Sequence, residues 1–193
     1  MEHFYTLQGE GFHSGRAAYF IRLAGCDVGC VWCDVKESWE EKGFPKKTAY
    51  ELFEIVKQTK AQFVVLTGGE PALHDLSPLI SLFQQQKIQV AIETSGCYSF
   101  SDDLDWVCLS PKKFKNPLVE SFVKANELKI VVYHKSDFQW AEEQEKLVNN
   151  HCILYLQPEW SKMEQILPDL IEYVKKNPKW KISLQTHKFM NIP

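Results

Sequence analysis

Three of the six cysteines lie close enough in the chain to hold a metal centre together. Their spacing is Cys26-x3-Cys30-x2-Cys33. Three thiolates are one short of the four that normally hold an iron–sulfur cluster or an all-cysteine zinc site. Two interpretations are open at this point. Either another residue such as His13 completes a zinc site, or one iron stays available to a small molecule.

The other cysteines, Cys97, Cys108 and Cys152, are scattered singly. Cys108 and Cys152 fall in apolar runs, where a free cysteine acts as a small hydrophobic residue. The N-terminus lacks the basic start and apolar run of a signal peptide, and no stretch reaches the roughly 20 apolar residues of a membrane span. We therefore expect a soluble cytoplasmic protein whose cysteines are metal ligands or thiols rather than disulfides.

Length and charge exclude some classes of function. The chain has 193 residues, 45% of them hydrophobic, and a formal net charge of −3. This length predicts a single domain, residues 1–193, with a real core. Because there is no excess of Lys and Arg to neutralise phosphates, we expect neither a nucleic-acid partner nor a membrane surface.

Short apolar, β-branched runs alternate with amphipathic segments. The runs predict strands at Tyr19–Leu23, Phe63–Thr67, Val90–Glu93, Trp106–Leu109, Lys129–Tyr133, Ile153–Leu156 and Ile182–Gln185. The helices are predicted from a Thr48-x-x-Glu51 capping box to about Lys60, and over Leu76–Gln86, Asp137–Asn149 and Met163–Lys176.

This alternation is typical of βαβ units and a mainly parallel sheet. A complete eight-fold barrel needs about 250 residues. We therefore predict an α/β fold in which about six parallel strands form a partial, open (βα) barrel. The longest irregular stretches, Asp34–Lys47 and Pro111–Ala125, are expected to form loops over a site.

The unusual residues all follow predicted strand ends. They are Cys26–Cys33, Gly68-Gly69-Glu70-Pro71, Thr94-Ser95-Gly96, Ser110-Pro111-Lys112 and Gln157-Pro158-Glu159. Ligands of parallel α/β sheets bind at the carboxyl ends of the strands. The pattern therefore predicts that these five loops line one mouth.

The cysteine spacing, with the aromatic Trp32 before the third cysteine, resembles the radical S-adenosylmethionine superfamily. Gly68-Gly69-Glu70-Pro71 looks like the GGEP element of that family, in the expected order along the chain. The resemblance implies a [4Fe-4S] cluster on Cys26, Cys30 and Cys33. The open iron would chelate S-adenosylmethionine, whose one-electron cleavage leaves a 5′-deoxyadenosyl radical that removes a substrate hydrogen atom.

The resemblance also implies a set of cofactor-binding residues. They are Trp32, Cys33, Asp34, Gly69, Glu70, Glu93, Ser95, Ser110, Pro111, Lys112, Gln157, Pro158, Glu159 and Trp160. No catalytic side chain is implied, because the radical derives from the cofactor.

The two ends of the chain indicate which family of the superfamily it resembles. Residues 7–11 read Leu-Gln-Gly-Glu-Gly, a strand arginine precedes Cys26, and the chain closes on Ser-Leu-Gln-Thr-His-Lys and Pro193. Over nearly its whole length the chain resembles the 7-carboxy-7-deazaguanine synthase family. That family converts 6-carboxy-5,6,7,8-tetrahydropterin to 7-carboxy-7-deazaguanine with loss of ammonia, a carbon–nitrogen lyase step toward queuosine and other 7-deazapurines.

The resemblance implies substrate contacts at Leu7, Gln8, Gly9, Glu10, Arg22, Thr67, His187 and Pro193. Gln8 and Glu10 can match the hydrogen-bonding edge of a pterin, and Arg22 can grip a carboxylate. Taken alone, each residue would be interpreted more simply, Glu10 as a solvated loop charge, Arg22 as part of a structural ion pair and His187 as a hydrogen-bonded strand residue. The shared order of the motifs favours the substrate-binding interpretation. The family further implies a homodimer and an electron donor such as flavodoxin or ferredoxin.

One position departs from the family. After Cys33-Asp34 the family commonly has Thr or Ser, whose oxygen helps to hold Mg²⁺, whereas this chain has Val35. Valine offers no hard oxygen ligand. Magnesium as a cofactor is therefore doubtful here, although substrate oxygens and water could still bind it.

Three other functions compete with this one. A glycyl-radical-enzyme activase shares the cysteine spacing and small size, but the Leu-Gln-Gly-Glu-Gly and Gln-Thr-His-Lys segments argue against it. A zinc-stabilised binding module would be colourless. Simple electron transfer normally uses four cysteine ligands.

Overall fold

The computed structural model describes all 193 residues, and a single sheet of eight strands runs through the chain. The strands lie in the sheet in the same order as in the sequence. They are β1 Glu2–Leu7, β2 Ala17–Leu23, β3 Phe63–Gly68, β4 Gln89–Thr94, β5 Trp106–Leu109, β6 Glu127–Val132, β7 Ile153–Pro158 and β8 Trp180–Ile182.

The sheet is an open barrel. β1 is antiparallel to β2, and every later pair is parallel, with Arg22 opposite Thr67 where β2 meets β3. β1 and β8 are the two free edges. The α/β class and the open barrel are therefore confirmed, with seven parallel strands where about six were predicted.

Six α-helices cover the sheet. They are α1 Ala49–Lys57, α2 Ser77–Gln85, α3 Val119–Lys124, α4 Ser136–Glu145, α5 Met163–Lys176 and α6 Thr186–Met190. The predicted capping box at the start of α1 is confirmed, since the Thr48 hydroxyl accepts from the Glu51 N–H and the Glu51 carboxylate accepts from the Thr48 N–H. None of the helices is long and apolar enough to cross a membrane.

Four parts of the chain differ from the sequence prediction. β1 and α6 were not predicted, and α3 lies inside the stretch predicted to be a loop. The strand predicted over Ile182–Gln185 is wrong, because β8 ends at Ile182. Beyond it the Ser183 hydroxyl donates to the Gln157 side chain, and the Thr186 N–H donates to the Gly9 carbonyl. The tail thus leaves the sheet and bends over its end.

The two faces of the sheet have different chemistry. Val64, Leu66 and Ile92 point outward and pack with α1 and α2 in a core of 16 buried residues, while β5–β8 pack with α3–α5 in a second core of 12. Burying each such side chain contributes about 1.5–3 kcal/mol. On the inner face, small and aromatic residues (Ala18, Phe63, Val65 and Ala91) close the amino end of the barrel. Because strand side chains alternate between faces, the inner positions toward the carboxyl end include Arg22, Thr67, Glu93 and Lys129.

Candidate active site

A cavity of about 360 Å³ opens at the carboxyl ends of the strands. It is lined by every site residue predicted from the sequence except Pro111. The five strand-end loops therefore do line one mouth. The cavity is also lined by residues outside the predicted sets of cofactor and substrate contacts, namely Phe4, Phe20, Val28, Val35, Ser38, Trp39, Gly68, Thr94, Lys129, Val131, Gln185 and Lys188.

The cysteine loop folds tightly over one side of the cavity. Gly25 and Gly29 have φ of 104° and 74°, values that L side chains rarely adopt. The Cys33 N–H donates to the Cys30 carbonyl at 3.1 Å. The three cysteines pack in one small cluster with Val28 and Cys97. The loop thus brings all three thiols of the predicted set to the same wall.

The Gly68-Gly69 turn lets β3 approach the cysteine loop closely. A Cβ at Gly69 would lie 2.3 Å from the Gly25 carbonyl oxygen, and one at Gly68 would lie 2.1 Å from the Leu23 carbonyl oxygen. The Gly69 and Glu70 N–H groups instead donate to those same two carbonyls, Leu23 at 2.9 Å and Gly25 at 2.8 Å. Glycine at both positions is therefore required by backbone packing.

The Glu70 side chain, 1% exposed, ties the loop after β3 to the loop after β4. One carboxylate oxygen accepts from the Ala72 N–H at 3.1 Å and from the Thr94 hydroxyl. The other accepts from the Ser95 N–H at 2.8 Å and from the Ser95 hydroxyl. These four hydrogen bonds fix the two loops relative to each other at the side of the cavity where the cofactor-binding residues are predicted.

The three cysteines fit an iron–sulfur cluster chemically. Burial raises the pKa of Cys26, and it raises the pKa of Cys30 to about 11. A thiolate at either position needs a positive partner, which cluster iron supplies, because a metal-bound thiol is deprotonated. No three His, Cys, Asp or Glu side chains converge on a point that could hold a single metal ion. In a cluster each thiolate binds its own iron, so such convergence is not required.

Lys112 extends the cavity wall beyond β5. Its ammonium donates to the Ser110 hydroxyl at 2.7 Å and lies 5.8 Å from the centre of the Trp32 ring. Burial lowers the pKa of Lys112. The structure therefore joins three of the predicted cofactor residues in one contact group, whereas Pro111 between them lies off the cavity.

The opposite wall is made by the two chain ends. The Gly9 carbonyl accepts from both the Thr186 N–H and its hydroxyl, each at 2.9 Å. A Cβ at Gly9 would lie 2.2 Å from Nδ1 of His187, so only glycine lets the imidazole come so near. Burial lowers the pKa of His187, which favours the neutral ring.

The side chains of Gln8 and Glu10, both predicted substrate contacts, already have hydrogen-bond partners within the protein. The Gln8 amide donates to Glu93 at 2.8 Å and accepts from the Glu10 N–H at 3.0 Å. The Glu10 carboxylate accepts from Gln185 at 2.8 Å and from the Lys129 ammonium. Lys129 holds the pKa of Glu10 at about 2 against the cost of burial, and the buried carboxylates around Lys129 raise its pKa.

Arg22 lies at the rim of the cavity. Its Nε is 3.2 Å from the Glu2 carboxylate, and its guanidinium lies 5.7 Å from the centre of the Phe4 ring. The ion pair that the sequence allowed is therefore present. Its Nη groups have no hydrogen-bond partner among protein atoms and remain available to a ligand.

Val35 and Asp34 line the cavity beside the cysteine loop. Asp34 pairs with the Lys188 ammonium at 2.9 Å, and the Val35 side chain offers only carbon atoms. These residues do not fit a magnesium site built on an oxygen ligand at position 35.

Lys129 is the main residue that sequence reasoning missed. It was read as part of a buried strand, since Leu-Lys-Ile-Val-Val is apolar apart from the lysine. The signal was the lysine itself, because a charged side chain in a buried strand needs a partner. Its partners lie at positions 10 and 93, far away in the sequence.

The comparisons with known proteins agree with this geometry. The sequence profile of the Radical SAM superfamily matches residues 20–106, from β2 to the start of β5. An open α/β barrel with a three-cysteine loop and a Gly-Gly-Glu-Pro turn at one mouth defines a radical S-adenosylmethionine protein. Such proteins use a [4Fe-4S] cluster and S-adenosylmethionine.

The relatives define the family more narrowly. The 7-carboxy-7-deazaguanine synthase of Flavobacterium psychrophilum is 53% identical over 100% of this chain and 91% of its own. That of Synechocystis sp. is 42% identical over 99% and 91%. The crystal structure of QueE from Escherichia coli matches with a TM-score of 0.84 at 32% identity, covering 95% of this chain and 91% of that one. The chain belongs to the 7-carboxy-7-deazaguanine synthase family, as the resemblance indicated.

Proposed function

We propose that this chain converts 6-carboxy-5,6,7,8-tetrahydropterin to 7-carboxy-7-deazaguanine with loss of ammonia, on the route to queuosine or another 7-deazapurine. The observation that carries the proposal is that one cavity is lined on one side by the cysteine loop and on the other by the two chain ends. This arrangement brings a cofactor half and a substrate half into contact. A radical formed in one half can then reach a C–H bond in the other.

In the cofactor half, Cys26, Cys30 and Cys33 would bind three irons of the cluster. When bound, the cluster and S-adenosylmethionine supply a one-electron cleavage and a carbon radical that removes a hydrogen atom. Glu70 holds the loop of Ser95 in place through its buried hydrogen bonds. Trp32 packs toward Lys112 and helps to keep water out of this half.

In the substrate half, Arg22 offers its free guanidinium nitrogens to the substrate carboxylate. Glu10 offers carboxylate oxygens to N–H donors of the pterin, and Thr67 lies beside Arg22 in the sheet. His187 in its neutral form can donate or accept one hydrogen bond. The tail that ends at Pro193 would close over the bound ligand.

We propose that magnesium contributes little to the activity of this chain. Support comes from Val35, which lacks an oxygen ligand, and from the Lys188 ammonium next to Asp34, which already brings a positive charge to this wall. Any Mg²⁺ would have to be held by substrate oxygens and water.

The partners follow from the family and from the exposed surface. An electron carrier such as flavodoxin or ferredoxin would approach at Val31, which is 67% exposed between Cys30 and Cys33. We also propose a homodimer of one-domain chains, for which the exposed Val119 and Val123 on α3 offer apolar surface. All six cysteines are free thiols, which supports a cytoplasmic location.

The experiment is an anaerobic turnover assay with reconstituted cluster, S-adenosylmethionine, dithionite and the pterin. A product whose mass matches loss of ammonia supports the proposal. If 5′-deoxyadenosine forms without that product, the substrate is wrong. If the purified protein carries zinc and forms neither compound, the radical chemistry is wrong as well.

A further inference from the structure

A buried lysine on the inner face of β6 has no role in the function described so far. The side chain of Lys129 is 4% exposed, and the residue lines the cavity. Its ammonium donates to Glu10 and, at 3.2 Å, to Glu93. Glu10 belongs to the predicted substrate set and Glu93 to the predicted cofactor set. One cation therefore bridges the two halves of the site.

The fold alone does not require a lysine here. Burying an ammonium costs free energy, and an apolar residue on the same strand would avoid that cost. Glu127, the other carboxylate of β6, is engaged elsewhere by the Phe12 N–H at 3.0 Å and the Trp106 indole at 3.4 Å. The charged or titratable groups that face Lys129 are Glu10, Glu93, Glu127, Cys108 and Lys112, and His187 faces the carboxylates of Glu10 and Glu93.

We propose that Lys129 is a positioning residue that holds the carboxylates of Glu10 and Glu93 side by side as hydrogen-bond acceptors for the N–H edge of the substrate. This inference rests on the proposed function. A reduced pterin carries its donors, a ring N–H and an exocyclic amino group, on one edge, and carboxylate oxygens are the natural acceptors for them. Lys129 acts on the substrate through the two carboxylates.

Without Lys129 the two carboxylates repel each other, and the pair takes up a proton more readily as the pH falls. A protonated carboxyl loses part of its power as an acceptor. Substrate binding then weakens as the pH falls, whereas a purely structural defect weakens it equally at every pH.

The test compares Lys129→Met with Lys113→Met, which removes a lysine–carboxylate pair (Lys113 with Asp137) that does not line the cavity. For Lys129→Met we expect KM for the pterin to rise by about tenfold to a hundredfold, the range for losing a charged hydrogen bond. The rise is larger at about pH 6 than at about pH 8. Lys113→Met should match wild type in KM at both pH values.

Two further variants keep the inference falsifiable. Lys129→Arg retains the charge, so its KM should stay within a few-fold of wild type without the pH trend. Lys129→Met should raise KM for the pterin by a smaller factor in a Glu10→Gln background, because one of the two carboxylate charges has already been removed. A KM rise that is independent of pH, or equal in Lys129→Arg, overturns the inference, as does Lys129→Met behaving like Lys113→Met. If wild type itself makes no product from the pterin, the proposed function has failed instead.

Discussion

Replacing Glu70 by glutamine tests how the cofactor side of the site is held. The substitution keeps the shape of the side chain but changes one oxygen to an NH₂ group. In one orientation of the amide the NH₂ group faces the backbone N–H of Ala72, and in the other it faces the backbone N–H of Ser95. In both cases two donors face each other and one backbone N–H loses its acceptor. The hydroxyls of Thr94 and Ser95 can rotate to accept, whereas a backbone N–H cannot.

The magnitude follows from this geometry. A buried backbone N–H without an acceptor costs about 1–3 kcal/mol. The remaining hydrogen bonds, made to a neutral amide instead of a carboxylate, are together weaker by about 1 kcal/mol. We therefore expect Glu70→Gln to lower the free energy of unfolding by about 2–4 kcal/mol. Each kcal/mol lowers the Tm of a chain of this size by about 2–4 °C.

The measurement is urea unfolding of the cluster-free protein under reducing conditions. Glu54→Gln is the matched control, because Glu54 makes only a surface pair with Lys57 at 3.5 Å and should change stability by less than about 1 kcal/mol. Equal midpoints for the two variants would refute the assigned role of Glu70. So would a large loss of stability in the control.

Three other substitutions probe the rest of the site. Cys30→Ala removes one of the three proposed iron ligands, so reconstituted protein should lack the brown colour of the cluster and form no 5′-deoxyadenosine. Normal colour would exclude Cys30 from the ligand set. His187→Ala should lower kcat/KM for the pterin about tenfold or more, because a buried hydrogen bond to the substrate is lost. Cleavage of S-adenosylmethionine should continue. Unchanged turnover of the pterin would exclude His187 from the substrate contacts. Val35→Thr restores a hydroxyl oxygen, so its activity should rise more with added Mg²⁺ than that of wild type, and identical titrations would contradict the role of this position.

The sequence predicted the motif-bearing half of the molecule well. Residues at the carboxyl end of a strand in a parallel sheet, or directly after it, must reach the same edge, so the predicted strand ends alone located Cys26–Cys33, Ser110 and Gln157, although Gln157 itself lies in β7. β5 and α5 have their predicted bounds. The capping box at Thr48 was readable because both of its partners lie within one turn.

The parts that were missed depend on distant contacts. β1 is half-exposed along its length and becomes a strand only by pairing with β2. α3 places Val119 and Val123 in solvent, so it lacks the amphipathic pattern of a packed helix. The tail after Ile182 leaves the sheet because its polar groups find partners at the other chain end. Lys129 could not be paired with Glu10 and Glu93 until the register of the strands was known.

The most direct test of the central claim is isotope transfer during turnover. The pterin is prepared with deuterium in place of hydrogen in the C–H bonds of its ring. It is then incubated anaerobically with the reconstituted enzyme, a reductant and S-adenosylmethionine. The account predicts that deuterium from the pterin appears in 5′-deoxyadenosine or in S-adenosylmethionine as 7-carboxy-7-deazaguanine forms. Product that forms while both compounds stay unlabelled would contradict it.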